Sequence, residues 1–333
     1  MSAAPVPHSA LPVWSFVLCL TGPTAVGKSE VAPLLAERMQ GEIISVDSMQ
    51  VYRGLDVGTA KPSCEERARV PHHLLDIREC NQPFDAAQFV GLARQAVTQI
   101  QQRRRLPILC GGTGLYLKAY LHGLGKAPPA DRHLRAELEG IPLPTLLDEL
   151  AARDPVAFST IDRRNPRRVI RALEILRRGQ GSLREQQADW SKAATPETPL
   201  GTPPAILFAL ARPVTELRRR IDERVEQMFR RGLVDETSKL LEAKSDFSPT
   251  ALQALGYRQV LEHLRGERSL PDTIALVKQR TRQFAKRQLT WLRHQLDVEW
   301  VNWSADESAA SVAERVEHLF RTRTANPSGS TGA

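Results

Sequence analysis

The chain has 333 residues, of which 41% are hydrophobic and 25% are charged, the balance of an ordinary globular protein. This length predicts one large domain or two smaller ones, and the net charge of +8 indicates a polyanionic partner only where the positive charges cluster. None of the four cysteines stands in a Cys-x-x-Cys pair, which argues against a zinc ribbon and favours a reducing, cytoplasmic setting. The apolar run at residues 14–20 is too short to span a membrane, so we expect neither a signal peptide nor a membrane anchor.

Short apolar runs alternate with helical patterns through the first half of the chain. Strands are predicted at residues 14–20, 42–47, 73–77, 106–112 and 205–211, with a last short one at 297–303. Helices are predicted at residues 29–39 and 85–102, across 130–178, and from 215 to 295. Because buried apolar strands that alternate with helices build parallel sheets, the chain is predicted to be an α/β protein.

The first strand leads into the sequence GPTAVGKS at residues 22–29, which matches the phosphate-loop pattern G-x-x-x-x-G-K-[S/T]. Backbone N–H groups and the N-terminus of the next helix face the anion in such a loop, and Lys28 adds a full positive charge. Ser29 offers a hydroxyl group to Mg²⁺. The predicted diphosphate-binding residues of the loop are Gly22, Pro23, Thr24, Ala25, Val26, Gly27, Lys28 and Ser29. The loop alone fits ATPases, small-molecule kinases and other enzymes of pyrophosphate compounds, although a GTPase is disfavoured because the sequence has no Asn-Lys-x-Asp pattern.

The second predicted strand carries Asp47 to its carboxyl end, the edge at which ligands bind in an open parallel sheet. An aspartate here caps a turn, orients Mg²⁺ or acts as a general base, and the neighbouring phosphate loop favours a functional role. Lys61 follows in a polar turn, where it is either a contact to an anionic ligand or a solvated lysine. Asp76 is expected to be a strand-end carboxylate near the site, with a role in binding Mg²⁺ through water left open.

The region after the fourth strand differs from the rest of the chain. It is rich in arginine, and segments rich in Pro, Gly and polar residues flank it on both sides. We expect a core formed by residues 1–128 and 204–320, a helical insertion at 129–203 and a disordered tail at 321–333.

Two clusters of positive charge predict contacts with a nucleic acid, because a solvated helix face usually mixes both signs. The first cluster comprises Arg163, Arg164, Arg167, Arg168, Arg171, Arg177 and Arg178, with only Glu174 opposing it in the same stretch. The second comprises Lys286, Arg287 and Arg293, with Trp291 beside them. We expect Trp291 to belong to the core rather than to stack on a base. Tyr257, in a GYRQ turn, is expected to be available for stacking.

Several segments together resemble the tRNA dimethylallyltransferase family in its bacterial form, which lacks a zinc finger. They are GPTAVGKS, ISVDSMQVYRGLDVGTAKP, PHHLLDI, PILCGGTGLYLKAYLHGL, RRNPRRVIRALEI, ALGYRQ and AKRQLTWLR, and they extend over residues 16–303. The resemblance implies a P-loop kinase-like core whose helical insertion contacts the anticodon stem–loop of tRNA. It also implies transfer of a dimethylallyl group from dimethylallyl diphosphate to an adenosine just 3′ of the anticodon, with Mg²⁺ as cofactor. The expected molecule is a monomer that binds no membrane, and the alternative is a P-loop small-molecule or nucleoside kinase.

The resemblance also assigns roles to individual residues. Asp47 and Thr113 are the catalytic residues, Arg220 and Arg224 join the loop in binding diphosphate unless they form surface ion pairs, and Ser29 holds the metal. The implied tRNA contacts are Asp47, Ser48, Met49, Gln50, Thr113, Arg135, Arg167, Arg168, Val169, Ile170, Arg171, Gln253, Ala254, Leu255, Gly256, Tyr257, Arg258, Lys286, Arg287, Gln288, Leu289, Thr290, Trp291, Leu292 and Arg293. Gln253 departs from the family pattern, because some members have a basic residue there.

Overall fold

A computed structural model describes residues 12–179, 181–186, 203–242, 248 and 250–325, with the side chain of residue 252 excepted. Contacts between Cα atoms divide the chain into two compact units, which are considered separately below. One unit comprises Met1–Tyr120 with Thr202–Ala333 and holds the sheet; the other is the insertion Leu121–Gly201. Residues 321–325 complete a helix, so the expectation of a disordered tail is wrong for them, while residues 326–333 lie outside the described part.

Six parallel strands form the sheet, in the order β3-β2-β4-β1-β5-β6. They are β1 (Val17–Thr21), β2 (Gly41–Val46), β3 (His72–His73), β4 (Leu106–Gly111), β5 (Ala205–Ala211) and β6 (Glu299–Asn302). The predicted parallel α/β fold is confirmed. β1 and β2 are buried along their whole length, which explains why they read as short runs with little polar alternation.

The third strand is much shorter than predicted. A strand was expected over residues 73–77, but only two residues pair with β2. Leu74 and Asp76 have φ angles of 63° and 55°, in the left-handed region that extended strands do not use. The chain therefore turns away from β2 and bonds instead to the segment that follows it, where Ile77 N donates to Val51 O at 2.9 Å.

Fourteen helices lie within the described residues. Those of the sheet unit are α1 (Lys28–Met39), α2 (Cys64–Arg69), α3 (Ala86–Gln102), α4 (Gly114–His122), α10 (Val214–Arg230), α11 (Leu233–Glu242), α12 (Tyr257–Leu264), α13 (Leu270–Gln295) and α14 (Ala309–Ala325), with α4 ending at the boundary of the insertion. Those of the insertion are α5 (Arg132–Glu139), α6 (Leu143–Arg153), α7 (Pro155–Thr160), α8 (Pro166–Arg178) and α9 (Leu183–Gln186). None of them is long and apolar enough to cross a membrane.

Each unit has a hydrophobic core of its own. In the sheet unit, Leu18 and Leu20 of β1 and Leu35 of α1 are fully buried, and the rings of Phe16 and Phe320 meet edge to face 6.5 Å apart. Side chains of this size stabilise the fold by about 1.5–3 kcal/mol each when buried. The insertion buries a separate set of apolar residues: Leu138, Leu146, Leu150, Val169, Leu173 and Ile175. Because its core is its own, the insertion keeps its helices packed without relying on the sheet.

Candidate active site

The phosphate loop connects β1 to α1 at the carboxyl edge of the sheet. Gly27 caps the helix with a φ of 111°, and a Cβ atom there would lie 2.3 Å from the Trp303 ring, so only glycine fits. The first N–H groups of a helix have no partner within it. In the described part of the chain, the N–H groups of Ala25, Gly27, Lys28 and Ser29 donate to no protein atom. The loop therefore presents four unpaired donors to an anion.

Lys28 lies against the beginning of the loop. Its ammonium group donates to Gly22 O and to Pro23 O, both at 2.8 Å. The pKa of Lys28 is lowered to about 8, mainly by burial; the charge of Arg224 acts in the same direction, and the negative charges of Cys110 and Asp47 oppose it. Burial also lowers the pKa of Arg224, again with opposition from Asp47. Two desolvated cations and one carboxylate thus lie close together beside the loop.

Two further arginines hold the outer side of the loop. Arg220 donates to Ala25 O at 2.9 Å and forms an ion pair with Glu30. Arg212 donates to Val26 O at 2.9 Å, and its guanidinium lies 3.5 Å from the centre of the Trp303 ring. Together with Lys28, these cations bind four carbonyl groups of the loop and so hold its backbone in place.

Arg220 and Arg224 were both predicted to contact diphosphate, but their side chains have different surroundings in the structure. Arg220 is engaged with the loop backbone and Glu30, so its first role is to hold the loop. Arg224 has a single long bond, to Thr59 O at 3.4 Å, among the described residues, and it lies near Asp47 and Lys28, where it can meet a ligand. Arg212 was missed by sequence reasoning, although its position directly after β5, the strand beside β1, places it at the ligand-binding edge.

Asp47 follows β2 and is fixed by its own turn. Its Oδ1 accepts hydrogen bonds from Met49 N at 2.8 Å and from Gln50 N at 3.3 Å, while Oδ2 has no protein donor among the described residues. Thr113 follows the neighbouring strand β4, and its hydroxyl accepts from Ser48 N at 3.1 Å. The two predicted catalytic residues are therefore brought together, with one carboxylate oxygen of Asp47 left available.

Lys61 lies inside the segment that follows Asp47. Its side chain is 1% exposed, and its ammonium group donates to Tyr52 O and to the carboxylates of Asp56 and Asp76. Asp76 also pairs with Arg67 at 2.6 Å; although burial raises the pKa of Asp76, the bonds from Lys61 and Arg67 bring it below its ordinary value. Lys61 is therefore neither a solvated lysine nor a ligand contact, and Asp76 is engaged by two cations, which disfavours a role with Mg²⁺.

Tyr257 does not fit the expected stacking role. Its ring is 1% exposed, and its hydroxyl group accepts from Gly58 N at 3.0 Å and donates to Glu236. Glu236, which sequence reasoning missed, accepts in turn from Val57 N at 3.0 Å. Tyr257 therefore anchors the segment after Asp47 from within the core, and its ring could reach an RNA base only by leaving that core.

We expect Tyr257→Phe to lower the free energy of unfolding by about 1–3 kcal/mol, because Gly58 N–H and Glu236 lose a buried partner. Binding of RNA should not change, because the ring is buried in the core and makes no contact at the surface. Thermal or urea unfolding measures the first effect and a tRNA titration the second. An unfolding free energy equal to that of the unchanged protein would contradict the anchoring role.

Gln288 of α13 joins the phosphate loop to the turn after β4. Its Oε1 accepts from Thr24 N at 2.8 Å, and its Nε2 donates to Gly112 O at 2.9 Å. Trp291 packs closely on the same turn, since a Cβ atom on Gly114 would lie 2.3 Å from its ring. Trp291 is nevertheless partly exposed and lines a shallow groove along α13 with Lys286, Arg287, Thr290, His294 and Gln295.

The remaining predicted RNA contacts fall into three groups. Exposed ones are Arg167, Arg168, Gln253, Arg258, Lys286, Arg287, Thr290 and Arg293. Partly exposed ones are Ser48, Met49, Gln50, Arg135, Arg171, Leu255 and Leu289. Val169, Ile170, Ala254, Gly256 and Leu292 are buried, so a side-chain contact to RNA does not fit their position. Gln50 directs its amide inward, where it accepts from the Ser45 hydroxyl at 2.9 Å.

Glu174 is the centre of an ion cluster in the insertion. It is fully buried and accepts hydrogen bonds from Asp131 N, from Arg135 at 2.7 Å and from Arg171 at 2.9 Å. Arg171 also donates to Pro128 O at 2.7 Å. Arg135 and Arg171, both expected to contact tRNA, are therefore first of all structural cations.

The arginine cluster of α8 divides into a paired part and an unpaired part. Arg177 pairs with Glu149 and Glu137, which lie outside the stretch that carries the cluster, and Arg178 donates to Pro129 O. Arg171 pairs with Glu174, as described above. The remaining four guanidinium groups form no ion pair among the described residues; they belong to Arg163, Arg164, Arg167 and Arg168. These four form the free arginine patch at the start of α8.

Known proteins are similar to this chain over most of its length. A sequence model of the IPP transferase family matches residues 50–295, which is more than half of the chain. The chain belongs to the IPP transferase family. It is 45% identical over 308 residues to tRNA dimethylallyltransferase 1 of Trichlorobacter lovleyi, covering 91% of this chain and 98% of that protein. It is 44% identical over 300 residues to tRNA dimethylallyltransferase of Halorhodospira halophila, covering 87% and 93%.

Solved structures are similar to this chain over more than nine-tenths of its length. The tRNA isopentenylpyrophosphate transferase of Bacillus halodurans is similar at a TM-score of 0.67 and 37% identity, covering 93% of this chain and 98% of that one. A eukaryotic dimethylallyltransferase acting on tRNA is similar at a TM-score of 0.74 and 25% identity, covering 92% and 79%. The P-loop-like class of fold expected from the sequence is thereby confirmed.

Proposed function

We propose that this protein transfers a dimethylallyl group from dimethylallyl diphosphate to the exocyclic amine of an adenosine just 3′ of the anticodon. The acceptors are tRNAs that read codons beginning with U, and diphosphate is released. One observation supports this most strongly: four unpaired N–H groups and Lys28 lie beside Asp47, whose Oδ2 is available. The family relatives act on tRNA, so the small-molecule kinase alternative is not supported.

The reaction needs a base and a site for the leaving group. An adenine amine is a weak nucleophile, because its lone pair is delocalised into the ring. As the new C–N bond forms, Asp47 accepts the amine proton at Oδ2, while the turn at Thr113 positions Asp47. As the allylic C–O bond breaks, negative charge grows on the diphosphate, and the loop N–H groups with Lys28 stabilise it there.

Mg²⁺ fits the site as a partner of the diphosphate rather than as an ion held by the protein alone. Among the described residues, no group of three or more His, Cys, Asp or Glu side chains could hold a metal. The Ser29 side chain is exposed in the first turn of α1, and its hydroxyl group has no partner in the part of the protein that the structure describes. Since Mg²⁺ usually keeps several waters and binds substrate phosphates, Ser29 would hold it together with diphosphate oxygens. The ion would add positive charge opposite the leaving group.

We infer that the protein acts as a monomer in the cytoplasm, unattached to a membrane. Among the described residues of the sheet unit, the exposed large apolar side chains belong to separate elements, including those of Trp14, Val214 and Leu241. The four cysteines are free, which suits a reducing compartment.

The proposed function is tested by incubating the purified protein with Mg²⁺, labelled dimethylallyl diphosphate and a tRNA that reads codons beginning with U. Label should appear on the adenosine next to the anticodon, as identified by mass analysis of the digested nucleosides. A tRNA that reads other codons is the control. Phosphate transfer from ATP to a small molecule, without labelled tRNA, would refute the proposal.

We expect the double substitution of Arg167 and Arg168 by alanine to weaken tRNA binding and flatten its salt dependence. Each phosphate contact adds about 0.7–0.9 to the slope of log affinity against log salt, so two lost contacts should reduce that slope by about 1.5. Arg177→Ala is the matched control, because its guanidinium is already paired with two carboxylates. An equal change of slope in both variants would mean that the free arginine patch does not bind RNA.

A further inference from the structure

The donors of the phosphate loop are not all available to a ligand. At the helix end of the loop, the N–H groups of Gly27, Lys28 and Ser29 donate to no atom of the described residues. At the opposite end, Thr24 N already donates to Gln288 at 2.8 Å. The loop therefore has an open end and an end that is occupied by a glutamine from α13.

The occupied end is the one at which a longer chain of phosphates would terminate. In loops of this kind, backbone N–H groups cradle the inner phosphates and the lysine reaches toward the outer ones. Here the Lys28 ammonium group lies at Gly22 O and Pro23 O, next to Thr24. A third phosphate group at this end could not accept a hydrogen bond from Thr24 N, which is already bonded to Gln288. It would face the amide oxygen of Gln288 instead.

We propose that Gln288 limits the loop to two phosphate groups and thereby sets a preference for diphosphate over triphosphate compounds. This inference rests on the proposed function and names the residue that specifies its substrate class. A phosphate oxygen and the amide oxygen of Gln288 are both acceptors, so their approach is unfavourable. By charge alone a triphosphate would bind this basic loop more tightly than a diphosphate, so the preference requires a feature such as this one.

The glutamine is held in place from both sides. Its Nε2 donates to Gly112 O at 2.9 Å, and a Cβ atom on Gly112 would lie only 2.5 Å from that nitrogen. Rotation of the amide would leave both Thr24 N–H and Gly112 O without their partner. Gln288 is therefore fixed in the position that closes the outer end of the loop.

The test is calorimetric titration of the full-length protein with inorganic diphosphate and with inorganic triphosphate in the presence of Mg²⁺. The unchanged protein should bind diphosphate more tightly. Gln288→Ala should raise the affinity for triphosphate by about tenfold, because one charge-assisted hydrogen bond becomes available, while the affinity for diphosphate changes less than about threefold. Gln288→Met, which fills similar space without hydrogen bonds, should give a smaller gain. Gln283→Ala, an exposed glutamine on the same helix, should change neither affinity.

The outcomes separate this inference from the function on which it rests. The proposed role of Gln288 would be refuted if the unchanged protein bound both anions with equal affinity, or if a folded Gln288 variant kept the same ratio of affinities. Neither result would bear on dimethylallyl transfer. Failure of the unchanged protein to bind diphosphate would instead overturn the proposed function, and this inference with it. If Gln288→Ala melts early, the preference of the unchanged protein and the shift in Gln288→Met still decide the question.

Discussion

Replacing Asp47 with asparagine should lower the rate of dimethylallyl transfer by about 10²–10⁴-fold, because the site loses its general base. Asparagine tests the proton-accepting role of Asp47 more specifically than alanine would. An asparagine oxygen can still accept the hydrogen bonds from Met49 N and Gln50 N, so the turn is kept. Single-turnover transfer with saturating tRNA measures the chemical step, and a separate titration measures tRNA affinity, which should remain within about threefold.

The control for this prediction is Asp85→Asn. Asp85 caps α3 through Gln88 N at 2.9 Å, a role that asparagine also performs, so rate and affinity should both be unchanged. If Asp47→Asn instead weakened tRNA binding and left the single-turnover rate intact, Asp47 would position the RNA rather than accept a proton.

Replacing Lys28 with methionine should lower kcat/KM for dimethylallyl diphosphate by about 10²-fold or more, because the only full positive charge of the loop itself is removed. A fall in kcat would show that Lys28 stabilises the charge that grows on the leaving group, whereas a rise in KM alone would show uniform binding of the substrate. Steady-state kinetics over a range of dimethylallyl diphosphate concentrations distinguishes the two.

Lys239→Met is the matched control, since Lys239 is exposed on α11 and has no ion pair among the described residues. The stability of both variants should be measured by thermal unfolding without ligand, because the substitution of Lys28 also removes two hydrogen bonds to loop carbonyls. If a folded Lys28→Met variant had unchanged kinetics, Lys28 would have no role in binding or stabilising the diphosphate.

Features of the site that depend on local sequence could be predicted. The phosphate loop is specified by its own glycines together with the strand before it and the helix after it. Asp47 was found because parallel strands end at one edge, and the Val46–Gly111 pairing of β2 with β4 places it opposite the turn that holds Thr113. The strands of the centre were predicted closely for the same reason, since continuous apolar runs need no knowledge of distant partners.

Features that depend on distant pairing could not be predicted. Arg171 and Arg167 are one helical turn apart, yet one is bound to a buried glutamate and the other is free. Tyr257 looked exposed because its turn is polar, whereas its hydroxyl group pairs with Gly58, 199 residues away. Gln288 likewise contacts Thr24 across 264 residues. A single sequence without such contacts cannot separate a structural cation from one that meets a ligand.

The cations behind the phosphate loop have a consequence for turnover. Because Arg212 and Arg220 already bind two of its carbonyl groups, the backbone of the loop is held in place before its ligand arrives. A rigid cradle does not distinguish the departing diphosphate from the same anion after the bond has broken, and free diphosphate carries more negative charge than its ester. The protein is therefore built to retain its own product. Inhibition by accumulated diphosphate, and slow release as the step that limits repeated cycles, follow from the same preorganisation that favours the chemistry.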